Sequence, residues 1–130
     1  MDKKDIIEFV WKNPVCYMGT VEGDAPRVRP FLVWMVDESG IYLDTAPYKE
    51  VYKQIKENPK IELCFHKQGV KEVLRVSGKI EFLDDPKIRK MYFGDSPDNN
   101  TTEFFVLKNG DVLHWWRDET GKAHYESLAF

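Results

Sequence analysis

The alternation of apolar and polar positions predicts three helices in this chain. Apolar residues recur every three or four positions over residues 3–12, which indicates a helix that Asn13-Pro14 ends. A second amphipathic helix begins at Pro47 and ends at Asn58-Pro59, because the residue before a proline is driven out of the helical region. Its apolar stripe consists of Tyr48, Val51, Tyr52 and Ile55. A third, short helix is predicted over Asp85–Tyr92.

Outside these helices the apolar period is two, which is typical of half-buried strands. The predicted strands are Val15–Val21, Arg27–Val36, Ile41–Thr45, Lys60–His66, Glu72–Leu83, Thr101–Leu107, Val112–Arg117 and Ala123–Leu128. Short polar turns join several of them, so neighbouring strands are expected to run antiparallel. Gly78, inside the longest predicted strand, indicates a bulge or a close backbone approach. We therefore expect one mainly β domain over residues 1–130, a small barrel with peripheral helices.

Composition and charge exclude several classes of protein. The chain is 42% hydrophobic and 32% charged, which excludes a disordered or low-complexity protein. Its formal charge of -3 provides no overall attraction to nucleic acid or to an anionic membrane. The longest apolar run, Phe31–Val36, is far shorter than the roughly twenty residues that span a bilayer. Cys16 and Cys64 lack metal-binding spacing, the three histidines are scattered, and no secretory signal is visible, so we expect a cytoplasmic protein without a metal site.

Two positively charged segments are candidates for anion binding. Arg27 and Arg29 are two residues apart in a predicted strand, so both side chains point to the same face. A guanidinium group is suited to a phosphate or to the carbonyl edge of a planar heterocycle. Lys49 lies in the predicted first turn of the second helix, where free N–H groups and the helix dipole favour an anion. The alternative is an ordinary surface strand and a solvated lysine.

Trp115 and Trp116 are candidates for the substrate side of a site. Adjacent strand residues face opposite sides of a sheet, so one indole belongs to the core and the other to a cleft or a dimer surface. The alternative is that both indoles only pack in the core and at an interface. No nucleophile–base motif, glycine-rich phosphate loop or spaced carboxylate pair is present, so the sequence predicts no catalytic residue.

Five segments carry a resemblance to a known family. They are Asn13-Pro14-Val15, Thr20–Phe31, Thr45 with Lys49, Val51–Pro59 and Leu74–Lys79. In order, spacing and composition, these segments resemble the pyridoxamine-5′-phosphate-oxidase-like, FMN-binding split-barrel family. The likeness is greatest to its short bacterial members of the general-stress-protein type. It covers roughly residues 6–83 and becomes general after residue 84.

The resemblance implies a six-stranded antiparallel split β-barrel of Greek-key topology. It also implies a homodimer with FMN in each of two interface clefts. By position in this sequence, Arg29 is implied to contact FMN, Thr45 to supply a hydroxyl near the phosphate, and Lys49 to bind the phosphate. Arg27, which precedes Arg29 on the same face of the predicted strand, is a further candidate.

The activity implied by the resemblance is that of a flavin-dependent oxidoreductase. FMN in such a protein takes electrons from a donor such as NAD(P)H and passes them to a small acceptor, while the protein provides binding and orientation. We do not expect an authentic pyridoxamine-5′-phosphate oxidase, because Lys122–Leu128 offers one histidine and no arginine for the substrate phosphate. Two alternatives stay open: a non-catalytic FMN-binding or sensing protein, and a split barrel that binds another ligand such as haem or deazaflavin.

Overall fold

The computed structural model describes residues 1–130, except for the side chain of Gln68. Its helices are α1 Lys3–Lys12, α2 Glu50–Glu57 and α3 Pro86–Phe93, with a short 3₁₀ turn at Gln68–Val70. The carboxylates of Asp2 and Asp85 accept backbone N–H groups at the starts of α1 and α3, which satisfies donors that the helix leaves free. The first and third predicted helices are therefore confirmed.

The rest of the fold consists of antiparallel strands in two sheets. The strands are β1 Val15–Glu22, β2 Ala25–Leu32, β3 Met35–Asp37, β4 Gly40–Thr45, β5 Lys60–His66, β6 Glu72–Lys79, β7 Glu81–Leu83, β8 Glu103–Leu107, β9 Asp111–Arg117 and β10 Ala123–Ala129. One sheet has the order β10-β9-β6-β5-β1-β2 and the other the order β3-β4-β8-β7. The expected mainly β split-barrel architecture with peripheral helices is confirmed.

Two predicted strands are each divided between the two sheets. The segment predicted as one strand over Arg27–Val36 pairs with β1 up to Leu32 and then joins the second sheet as β3. At the change, the Val33 N–H donates to the carbonyl of Pro14 at 2.9 Å. The prediction of a continuous strand was wrong because a change of partner leaves the period of two unchanged.

The long predicted strand Glu72–Leu83 is divided in the same way. It ends as β6 at Lys79 and continues as β7 in the other sheet, with the Ile80 N–H donating to the carbonyl of Pro59 at 2.9 Å. Gly78 lies just before this change, where an added Cβ would be 2.6 Å from the carbonyl oxygen of Asn109. The predicted close backbone approach is confirmed.

Helix α2 begins later than its apolar stripe predicts. The Lys49 N–H donates to the carbonyl of Ala46 at 3.0 Å, so residues 46–49 form a turn and helix begins at Glu50. Lys49 is consequently the residue that precedes the helix, and not a member of its first turn as predicted. Tyr48 lies outside the helix and is 79% exposed, so its assignment to the buried stripe was also wrong.

The core lies between the two sheets and beneath the first two helices. Helix α1 contributes Ile6, Phe9 and Val10, and helix α2 contributes Val51 and Ile55. These side chains all belong to the core cluster, so each of the two helices buries one apolar stripe. None of the helices in the described part of the chain is long and apolar enough to cross a membrane.

Candidate functional site

A pocket of about 260 Å³ lies where the edge strand β2 faces β4 and the start of α2. It is lined by Arg29, Pro30, Phe31, Leu32, Asp44, Lys49 and Val51. Strand β2 has a pairing partner on one side only, which leaves space beside its outer edge for a ligand. The structure thus brings together two of the residues predicted as candidates for anion binding, Arg29 from β2 and Lys49 from the turn before α2.

Arg29 is held by hydrogen bonds to neutral groups. Its Nη1 donates to Thr20 Oγ1 at 2.7 Å and to the Met18 carbonyl at 3.3 Å, and its Nη2 donates to Gln54 Oε1 at 2.6 Å. In the described part of the chain, carboxylates form ion pairs with three other arginines but not with this one. Burial lowers the pKa of the guanidinium, but an arginine stays charged at neutral pH. Arg29 is therefore a positive charge available to an anion.

Lys49 provides the second positive charge of the pocket. Its side chain is exposed. Among the described residues, the lysines that form ion pairs are Lys12, Lys67, Lys90 and Lys108, so Lys49 forms none. The N-terminus of α2, which follows Lys49, has no side-chain cap. The Tyr52 N–H donates to the Lys49 carbonyl at 3.2 Å, which leaves the N–H groups of Glu50 and Val51 free. An ammonium group beside free helical N–H groups is an arrangement that favours an anion such as phosphate.

Asp44 is an unexpected third charged group in the same pocket. Its carboxylate is partly buried, and the Tyr92 hydroxyl donates to Oδ2 at 3.4 Å. Burial raises the pKa of Asp44, and burial together with the Asp44 charge raises the pKa of Tyr92. Burial therefore disfavours the charged form of this carboxyl group, and wherever it is ionised its negative charge opposes an anion in the pocket.

The other two candidates from the resemblance lie outside the pocket lining. Thr45 is 3% exposed, on the core side of β4, and its Oγ1 has no hydrogen-bond partner within the described structure. Arg27 is exposed, and its Nε and Nη2 both donate to Glu22 Oε1, at 3.1 and 3.0 Å. Its charge is therefore already paired with a carboxylate.

The two tryptophans lie on opposite faces of β9. Trp115 is on the side away from the core, with the Arg117 guanidinium 5.4 Å from its ring centroid. Trp116 stacks between His114 and His124, at centroid distances of 4.5 and 5.2 Å. Strand β9 is four strands from β2, about 19 Å measured along the sheet, and neither ring lines the pocket within one copy of the chain.

Gln54 and Asp44 are the site residues that the sequence reasoning missed. Gln54 is three residues after Val51 and directly before Ile55, so a polar residue occupies the buried stripe of α2. That position was a usable signal, because a buried amide requires hydrogen-bond partners. Asp44 gave a weaker signal. The alternation of a strand places its side chain on the face of β4 opposite to that of Thr45, but alternation does not show which of the two faces borders the pocket.

The fold and this pocket together define a small antiparallel barrel with a candidate anion-binding site, lined by two positively charged side chains, at the open edge of one sheet. The family model described as pyridoxamine 5′-phosphate oxidase matches residues 3–116. The chain therefore belongs to the pyridoxamine 5′-phosphate oxidase family. Among curated proteins, no sequence gives a significant match.

Solved structures share the fold over nearly the whole chain. A nimC/nimA family protein of Clostridium acetobutylicum is 24% identical, with 96% of this chain and 91% of that one covered and a TM-score of 0.79. General Stress Protein 26 of Bacillus anthracis is 14% identical, with coverage of 98% and 100% and a TM-score of 0.72. A pyridoxamine 5′-phosphate oxidase-related, FMN-binding protein of Nostoc punctiforme is 14% identical, with coverage of 97% and 95% and a TM-score of 0.71. The resemblance inferred from the sequence segments is confirmed.

Replacing Asp44 by Asn is expected to raise the free energy of unfolding at neutral pH. Since burial raises the pKa of Asp44 above its ordinary value of 3.8, the folded state binds this proton more tightly than the unfolded state. The free energy of unfolding therefore falls as the pH rises from the pKa of Asp44 in the unfolded chain to its pKa in the folded protein. At higher pH it stays at the lower value. Asn has no charge and keeps an acceptor for Tyr92, so the variant should melt at a higher temperature than the wild type.

The comparison is made by thermal unfolding across a pH series. Below pH 3.8 the two proteins should converge, because Asp44 is then protonated in both states. Asp24→Asn, in the exposed turn between β1 and β2, is the control and should show no such dependence. Equal melting temperatures of wild type and Asp44→Asn throughout the series would contradict the prediction.

Proposed function

We propose that the protein is a flavoprotein that binds FMN by its phosphate in the pocket between β2, β4 and α2. The observation that carries the proposal is the convergence of Arg29 and Lys49, neither of them in an ion pair within the described chain, on the uncapped start of α2. The name of the Nostoc punctiforme relative, an FMN-binding protein with the same fold, supports this choice of ligand.

The chemistry of the pocket fits a phosphate monoester. A guanidinium, an ammonium and free backbone N–H groups are all donors, and phosphate oxygens are all acceptors. The single acid of the lining, Asp44, opposes a phosphate, but the two cationic side chains of Arg29 and Lys49 outnumber it. The lining side chains of Phe31, Leu32 and Val51 are apolar, as the remainder of a flavin requires.

The size of the pocket suggests that a second copy of the chain completes the site. About 260 Å³ is below the roughly 300–1,000 Å³ of pockets that hold a ligand of this size. The face of the six-stranded sheet that points away from the core, called here the outer face, offers a surface for that copy. It presents Val15, Tyr17, Val28, Leu32 and Tyr125, which are between 45% and 71% exposed. Apolar side chains exposed together on one face mark an interaction surface, so we propose a homodimer.

The activity that we propose is that of an oxidoreductase acting on a small acceptor. Bound FMN would supply the hydride chemistry, with NAD(P)H as the proposed electron donor, so the pocket requires no acid–base residue. The protein is proposed not to be an authentic pyridoxamine-5′-phosphate oxidase, because a second phosphate needs a further free cation. Arg117, the candidate by sequence, lies on β9 and donates to the Gly121 carbonyl at 2.8 Å. We propose a cytoplasmic location, since Cys16 and Cys64 are both free thiols.

Lys49→Ala is expected to weaken FMN binding by about 10- to 100-fold, because it removes one charge-assisted contact to the phosphate. Riboflavin, which lacks the phosphate, should bind both proteins equally. The measurement is a flavin-fluorescence titration of protein freed of ligand. Lys53→Ala, on the exposed side of the same helix, is the control and should retain the wild-type affinity. An unchanged FMN affinity in Lys49→Ala would show that the phosphate binds elsewhere.

Tyr17→Asp is expected to convert the proposed dimer into a monomer. A carboxylate that becomes buried at an interface without a partner is strongly unfavourable. Sedimentation equilibrium at micromolar concentration measures the mass of each protein. Met91→Asp, on the exposed side of α3, is the matched control and should leave the dimer intact. A monomeric wild type, or a dimeric Tyr17→Asp protein, would be evidence against the outer face as the interface.

The FMN-loaded protein is expected to be reduced by NAD(P)H without air and to form no pyridoxal phosphate from pyridoxine phosphate or pyridoxamine phosphate in air. Flavin absorbance follows the first reaction, and product absorbance follows the second. Pyridoxal phosphate formation at about 1 s⁻¹, an ordinary enzymatic rate, would show the protein to be an authentic oxidase. Failure of NAD(P)H to reduce bound FMN would favour the alternative of a non-catalytic flavin-binding protein.

A further inference from the structure

Gln54 is a polar side chain in a position where the helix pattern calls for an apolar one. It is 3% exposed and lies on the face of α2 that packs against β1. Burying an amide without hydrogen bonds costs free energy, so its partners explain its presence. Its Oε1 accepts from Arg29 Nη2 at 2.6 Å and from Thr20 Oγ1 at 2.6 Å.

These groups form a closed ring of hydrogen bonds. Arg29 Nη1 donates to Thr20 Oγ1 at 2.7 Å, Thr20 donates to Gln54 Oε1, and Arg29 Nη2 donates to the same oxygen. The guanidinium is planar, so holding two of its nitrogens fixes the orientation of the whole group. The ring joins β1, β2 and α2, which are the elements that position Arg29 at the pocket edge.

The acceptors that hold Arg29 carry no formal charge. A carboxylate in place of the Gln54 amide would also accept both hydrogen bonds, but it would pair with the guanidinium and cancel its attraction for an anion. The Gln54 amide Nε2 donates to Glu22 Oε2 at 3.4 Å, and the other oxygen of that carboxylate accepts from Arg27. The carboxylates of Glu50 and Glu22 act on the Arg29 charge from a distance and favour its protonated form, but neither forms an ion pair with it, so the guanidinium is held in direct contact by neutral groups only.

We propose that Gln54, with Thr20, is a positioning residue that aims Arg29 at the phosphate of the ligand and preserves its charge. This inference rests on the proposed function, since it assumes that Arg29 binds the FMN phosphate. It assigns to the buried amide a role in selecting a phosphorylated flavin over an unphosphorylated one. Arg29 supplies the contact, and the neutral ring supplies its orientation.

The test compares FMN with riboflavin in fluorescence titrations of two Gln54 variants. Gln54→Glu keeps the shape and the acceptors but adds a negative charge, and it should weaken FMN binding by about 10- to 100-fold. Gln54→Met keeps the approximate shape without the acceptors, and it should weaken FMN binding by about 3- to 10-fold through loss of orientation. Riboflavin affinity should stay within about 2-fold of the wild type in both.

Thr20 provides an independent pair of variants should the Gln54 proteins fail to fold. Thr20→Val removes the hydroxyl at nearly constant shape and should lower FMN affinity but not riboflavin affinity. Thr20→Ser keeps the hydroxyl and should restore FMN affinity to near the wild-type value. Circular dichroism and thermal unfolding of the ligand-free proteins establish that each variant is folded.

The outcomes separate this inference from the proposed function. Unchanged FMN affinity in both Lys49→Ala and Arg29→Gln would overturn the proposed function itself. Loss of FMN affinity in those two variants, with wild-type selectivity in the Gln54 and Thr20 variants, would overturn only the positioning role. An equal loss of FMN and riboflavin in the Gln54 variants would also overturn it, because a purely structural defect does not depend on the phosphate.

Discussion

The arrangement of the site depends on one partly buried arginine that has no carboxylate partner. Arg29 lies on the inward side of the edge strand β2, where desolvation of a charge is costly. Its hydrogen bonds run to a hydroxyl, a carbonyl and an amide, which partly offset that cost without cancelling the charge. Such a group stays attractive to an anion, whereas the exposed Arg27 is already paired with Glu22.

The topology produces the space beside this arginine. At Val33 the chain leaves the six-stranded sheet for the other sheet, so β2 has no second neighbour and the barrel stays open along it. The same change at Ile80 carries the chain from β6 to β7 and lets the second sheet cover the core. The pocket thus lies along the unpaired edge of β2, and Lys49, directly before α2, borders it.

The sequence predicted the elements well and their partners less well. Periodicity located α1, α3 and most strands because burial on one face imposes it locally. It missed the divisions at Val33 and Ile80, since strand pairing is a non-local property that leaves the period unchanged. Arg29 and Lys49 were identified by residue type and by resemblance to a family, and the structure brings both to one pocket. Their roles toward FMN stay predictions.

The residues that sequence reasoning missed are those that adjust the charge of the site. Gln54 is neutral where a carboxylate would have matched the arginine, and Asp44 is an acid whose pKa burial raises. The neutral Gln54 leaves the charge of Arg29 without a carboxylate partner at that position, whereas Asp44 adds one negative charge to the pocket lining. The overall composition does not reveal this local balance of charge, because the whole chain has more acidic than basic residues and a net charge of -3. Affinity for an anion is decided locally, by which charges are paired and which are desolvated, and the lining of this pocket holds two cationic side chains against one acidic one.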